Sequence, residues 1–161
     1  MMTESLAYYQ DYITMLVGSE DPVPDGFTGI TTEEVNDIFS TQRDEMETLL
    51  CLSLLSTVEA MFRMDYLARC QTRRPRDKVT GRLRQIYTDK GPRAELADDI
   101  LLAWRDVRND LSSAITDLKA ALLYRHWLAH GRYWVPKLGR QYDFSTVYRI
   151  CDAVQSAVPL V

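Results

Sequence analysis

The sequence predicts an all-α fold: a single-domain helical bundle of about five to seven helices over residues 1–161, with a long apolar central helix. Three observations carry that prediction. Apolar residues recur at spacings of three and four through most of the chain, the period of one helix face. No stretch keeps the apolar–polar alternation of a half-buried strand. Glycine and proline are sparse, 7 and 6 of 161 residues, which leaves room for long helices.

The elements follow in order. Thr3 caps a first helix whose stripe is Leu6, Tyr9, Ile13 and Leu16, ending at Gly18. Residues 18–30, rich in Gly, Pro and Asp, form a loop. Thr31-Thr32-Glu33-Glu34 starts a second helix through Val35 and Ile38, which Ser40-Thr41 breaks or bends. The third helix, about 43–71, is the longest. Its centre, LLCLSLLSTVEAMF, is apolar nearly all round, the pattern of a buried central helix or an oligomer interface. Pro75 closes it. Shorter helices over about 79–89 and 93–108 are separated by Gly91-Pro92. The penultimate helix spans about 110–130, with Leu111, Ala114, Ile115, Leu118, Leu122 and Ala129 as its core stripe and Gly131 at the C′ position. The last helix, about 145–158, turns Val147, Ile150, Cys151 and Val154 inward.

A chain of 161 residues fits one domain. Three cysteines, an odd number without metal-ligand spacing, read as buried, reduced thiols of an intracellular protein. The first residues carry acids where a signal peptide has a basic segment. The most apolar run, 49–58, is half the roughly 20 residues a membrane span needs. The expected location is therefore the cytoplasm, with no membrane contact.

A net charge of −4 argues against nucleic acid only until it is resolved along the chain. Residues 1–50 hold eleven acids and one basic residue, Arg43. Residues 69–84 hold seven basic residues against Asp77 alone, and 122–141 hold Arg125, Arg132, Lys137 and Arg140 with no acid. Phosphate responds to local potential, and charges beyond about 10 Å are screened. The run containing Arg73, Arg74, Arg76 and Lys78 is a solvated surface or a phosphate-tracking patch that steers RNA.

Both histidines lie in one short segment, Tyr124-Arg125-His126-Trp127-Leu128-Ala129-His130-Gly131. Arginine, a polar residue, three further residues and histidine, closing the penultimate helix of an all-α chain, resembles the signature of the HEPN superfamily (higher eukaryotes and prokaryotes nucleotide-binding). The resemblance covers the whole chain in helix order. It implies a metal-independent endoribonuclease acting as a homodimer without cofactor, of a kind found among toxins and phage-defence effectors. It further implies Arg125 and His130 as the catalytic pair, with His126 as the polar second residue and His126, Arg132 and Tyr133 lining the cleft. One branch of the family has a tyrosine two residues after the motif histidine, modified by a nucleotidyltransferase that serves as antitoxin. Here Tyr133 stands three residues after His130 and Arg132 occupies the branch's position.

The residue types suit such chemistry. Cutting RNA by its own 2′-hydroxyl needs a group that exchanges protons near neutral pH, which histidine does. It also needs a permanent cation on the phosphate oxygens, which arginine's fork supplies. At about 100° per residue, Arg125 and His130 stand some 140° apart on a helix, whereas His126 and His130 share a face. Arg125 wraps round, the helix unwinds before Gly131, or two protomers complete one site.

Other readings stand beside this one. Arg125 falls on the expected core stripe, so the alternative is a buried arginine paired with an acid, with His130 a cation at a helix C-terminus. Glu59, on the apolar helix, either orients Arg125 or pairs with Arg63 one turn on. His126 and His130 have zinc-ligand spacing, but position 127 is Trp and no third histidine exists. Tyr133 and Trp134 stack on unpaired bases or pack beside the helix end. The rival to an enzyme is a catalytically silent HEPN module that binds a nucleotide or a partner protein.

Overall fold

One helix starts at a cap on Thr31. Its hydroxyl accepts from the Glu34 backbone N–H at 3.2 Å, while the Glu34 carboxylate accepts from the Thr31 N–H at 2.8 Å. This reciprocal box satisfies two donors that a helix start leaves open, and the Thr31 N–H holds the Glu34 carboxyl below its ordinary pKa. The computed structural model describes Gly29 and residues 31–73, 76–132, 135 and 137–160. The predicted helix after Thr3, most of the 18–30 loop, Arg74, Tyr133 and Trp134 lie outside the described residues.

Among the described residues there are five α-helices and no strand: α1 Thr32–Gln71, α2 Lys78–Lys90, α3 Leu101–Val107, α4 Ser112–Ala129 and α5 Phe144–Ala157. Two compact units, Met1–Leu50 and Cys51–Val161, partition the chain. Of the first, Gly29 and residues 31–50 are described, with Phe39 buried.

The expected break at Ser40-Thr41 is absent, and α1 runs for 40 residues. The reason is energetic. Ser and Thr each cost only about 0.5 kcal/mol in a helix interior, and the residues that follow, Gln42 to Leu50, are mostly good helix formers. Nor is α1 apolar all round. From Cys51 onward it buries one stripe, Cys51, Leu55, Val58, Phe62, Tyr66 and Arg69, while Met64 is 69% exposed. No helix among the described residues is long and apolar enough to cross a membrane.

In the larger unit, α2 starts at Asp77, whose carboxylate accepts from the Thr80 N–H at 2.7 Å, and buries Val79 and Leu83. The Tyr66 hydroxyl donates to the Gly91 carbonyl at 2.8 Å and fixes the exit of α2. A widened turn follows over Leu96–Ile100: the Ile100 N–H reaches back five residues to the Glu95 carbonyl. Such π turns often accompany functional sites. α3 packs on α2 and α4, and α4 packs on α5. The core is Leu55, Phe62, Leu83, Ile100, Leu101, Trp104, Ile115, Leu118, Val147 and Val154. On α5 the four residues expected to face inward all do.

On α4 the stripe is rotated from expectation. Ile115, Leu118, Ala121, Tyr124 and Leu128 are buried, whereas Leu122 is half-buried and Ala129 exposed. Tyr124 and Leu128 bury more apolar surface than Arg125 and Ala129 would, so the helix rolls them inward. Arg125 is thereby carried off the core stripe to its flank.

Candidate functional site

A groove of about 260 Å³ runs beside α4 in the larger unit, lined by Glu59 and Arg63 of α1, Glu95, Leu96 and Ala97 at the π turn, and Leu122, Arg125 and His126 of α4. The roll of α4 places Arg125 at its edge with a third of its side chain exposed. Its Nε lies 3.7 Å from Glu59 Oε2 and donates to Ser56 Oγ at 3.4 Å. Glu59 Oε1 accepts from Arg63 Nε at 3.0 Å, and Arg63 Nη1 donates to the Ala94 carbonyl at 3.4 Å. Glu59 therefore does both things the sequence left open: it pairs within α1 and it faces Arg125.

His126 and His130, one turn apart, are in ring contact, with centroids 4.2 Å apart and planes tilted by 54°. His126 lines the groove; His130 caps the end of α4. The helix stops there by a two-bond lock. The Arg132 N–H donates to the Trp127 carbonyl at 3.3 Å and the Gly131 N–H to the Leu128 carbonyl at 3.4 Å. Gly131 takes φ +82°, which glycine adopts freely, and Arg132 follows at φ +56°, costing about 1 kcal/mol for a side chain with a Cβ. The chain leaves α4 in a fixed direction with Arg132 exposed. The helix does not unwind before Gly131. The two histidines gather no third metal-ligating side chain among the described residues.

The basic run between α1 and α2 divides into two kinds of residue. Arg73, Arg76 and Lys78 are exposed. Fourteen residues separate Glu59 from Arg73, about 20 Å along a helix, so their potential at the groove is screened and they reach only a distant part of a bound strand. Arg69 and Arg84 are structural instead. Arg84 donates to the Arg69 and Thr72 carbonyls at the end of α1.

Arg69, 2% exposed, is the centre of a network that sequence reasoning missed. Its Nε donates to both Asp65 oxygens at 2.8 and 2.9 Å, Nη1 to Asp77 and Thr80 at 2.9 Å each, and Nη2 to the Pro159 carbonyl at 2.6 Å. The guanidinium carbon also sits 4.9 Å from the Trp104 ring centroid. Burial raises the Asp77 pKa, but the Thr80 N–H and the Arg69 charge outweigh it and hold the carboxyl below its ordinary value. The readable signals were the four-residue spacing of Asp65 and Arg69 and the Asp77-x-x-Thr80 cap.

Beyond the far side of α4, Tyr124, Trp127 and Tyr142 form a ring stack. Tyr124 lies 5.0 Å from Tyr142 at 10° and 5.8 Å from Trp127 at 27°.

No family model, curated protein or solved structure matches the chain.

Proposed function

We propose that the chain is a metal-independent endoribonuclease of HEPN type, acting on RNA as a homodimer in a toxin–antitoxin or phage-defence setting. The observation that carries this reading is the placement of Arg125. It stands partly exposed at a groove, aimed by Glu59 and Ser56, beside a histidine whose ring touches a second histidine. A guanidinium oriented in that way is suited to the non-bridging oxygens of a phosphate. The 2′-oxygen attacks phosphorus as His130 accepts its proton, a cyclic phosphate forms, and the 5′-oxygen leaves with a proton returned by the imidazole pair. Arg125 and His130 flank different sides of α4, so one protomer's arginine works with the partner's histidine. Regulation by an antitoxin or a nucleotidyltransferase partner belongs to the same reading.

The test is incubation of purified protein with labelled single-stranded RNA in excess EDTA. Cyclic-phosphate ends, absent with Arg125→Ala and with His130→Ala while both variants stay folded, are expected. Mixing the two inactive variants should restore about a quarter of wild-type activity, because half of randomly assorted dimers carry one intact composite site. No restoration sinks the shared site, and no cleavage by the wild-type dimer sinks the enzyme. A second reading, a silent module binding a nucleotide or protein, draws on the engagement of the Arg125 guanidinium by Glu59 and Ser56 within the fold. RNA binding without cleavage would favour it.

A further inference from the structure

The second groove beside α4 has no part in the reaction above. It is an open groove of about 610 Å³ lined by Tyr124 and Trp127 of α4 and by the 137–143 segment, which brings Lys137, Arg140 and Tyr142. That volume lies within the range of small-ligand sites. The buried Tyr124 ring stacks with both half-buried rings, Tyr142 and Trp127. Arg140 lies over the Tyr142 ring, 5.7 Å from its centroid, and pairs with Asp117. The acid lining the groove, Asp143, is occupied in capping α5, where it accepts from the Thr146 N–H at 2.6 Å. The half-buried Trp127 ring beside the exposed Lys137, with Asp143 engaged in the cap, matches a base carried on a phosphate chain.

Its place on α4 matters as much as its lining. At about 100° per residue, Arg125, His126, His130 and Trp127 follow one another round the helix in that order. The histidine pair therefore stands on the strip of α4 between the two grooves. A strand whose phosphate is held between one protomer's Arg125 and the histidines of the other has its next base directed at the Trp127 side of the histidine-bearing helix.

We propose that the Tyr124–Trp127–Tyr142 groove holds the unpaired base flanking the scissile phosphate. The inference rests on the ribonuclease reading for the position of the scissile phosphate, and it is tested by binding, so the two fail separately. The probe is a short 2′-O-methyl RNA strand, which cannot be cut, titrated by anisotropy beside the same strand with one abasic nucleotide walked along it. Loss of a single base should weaken binding about ten- to a hundredfold at one position only. Trp127→Ala should weaken the intact strand by a similar factor and leave the abasic strand unchanged. Trp127→Phe, which keeps a ring, should bind nearly as wild type. Lys137→Glu should weaken both strands alike and reduce the salt dependence.

Equal affinity for abasic and intact strands overturns the base site, as does duplex RNA binding as tightly as the single strand. A mononucleotide matching the strand's affinity assigns the groove to free nucleotide and overturns the strand assignment. If Trp127→Ala does not fold, the abasic walk and Lys137→Glu decide alone. Specific base binding without cleavage keeps the groove and discards the ribonuclease.

Discussion

Replacing Arg69 by leucine tests whether the basic run between α1 and α2 is one surface or two kinds of residue. Arg69 uses its guanidinium fully: two bonds to Asp65, one each to Asp77, Thr80 and the Pro159 carbonyl, and a face against Trp104. Asp65 is 1% exposed. Removing one member of such a buried pair leaves an uncompensated charge and costs about 3–5 kcal/mol. Total stabilities run to about 5–15 kcal/mol, so the variant loses a large fraction of its margin. With a urea slope of about 1–3 kcal/mol per molar, the unfolding midpoint should fall by about 2 M, read by circular dichroism. The double variant Asp65→Leu/Arg69→Leu removes both charges and should recover at least half of the loss, because the two changes are coupled. Arg73→Ala and Arg76→Ala, both exposed, should stay within about 0.5 kcal/mol of wild type. A loss below about 1 kcal/mol for Arg69→Leu, or a double variant costing the full sum of its singles, would refute the buried-pair account.

Glu59→Gln removes the carboxylate facing Arg125. Cleavage in EDTA should fall about two- to fivefold, the range for losing a partly solvated ion pair. Stability should change by under about 1 kcal/mol, since the pair is partly solvated; unchanged turnover would remove Glu59 from the site. Asp77 has a lowered folded pKa against about 3.9 unfolded. The unfolded chain thus takes up the proton first, and the Asp77 contribution is present above pH about 4 and lost as pH falls through the lower folded value. Asp77→Asn, which keeps a cap, should flatten the acid limb of a stability–pH curve; an identical limb would contradict the assignment. Burial pushes the Cys151 thiol up to about 11, and Cys51 is also buried. A disulfide reagent at pH 8 should therefore modify half-buried Cys70 first and the other two only on unfolding, as mass spectrometry of timed samples would report.

The sequence carried the helices because their signals are local. Thr31 and Glu34 cap each other, Gly131 takes the left-handed turn that ends α4, and Val147, Ile150, Cys151 and Val154 need only their own spacing to be placed. What went unread depends on partners distant in sequence. Whether Leu122 or Tyr124 turns inward on α4 is decided by the surface it meets on α3 and α5, and both stripes fit the helical period. That roll of a fraction of a turn moves Arg125 from the core to a groove, which no count of residues along α4 reveals. Arg69 makes the same point with the opposite sign. Among seven basic residues in a row of sixteen, it is identical in type to its neighbours, and only the fold assigns it to Asp65, Asp77 and Pro159, the last 90 residues away. Charge runs in a sequence give an upper bound on a phosphate-binding surface, and each arginine held by a buried carboxylate subtracts from it. Arg125 is held differently. Its carboxylate is shared with Arg63 and lies at 3.7 Å, with both side chains partly open to water, so an arriving phosphate competes for Arg125 against a weak, divided partner, whereas at Arg69 it would have to break a complete set of bonds.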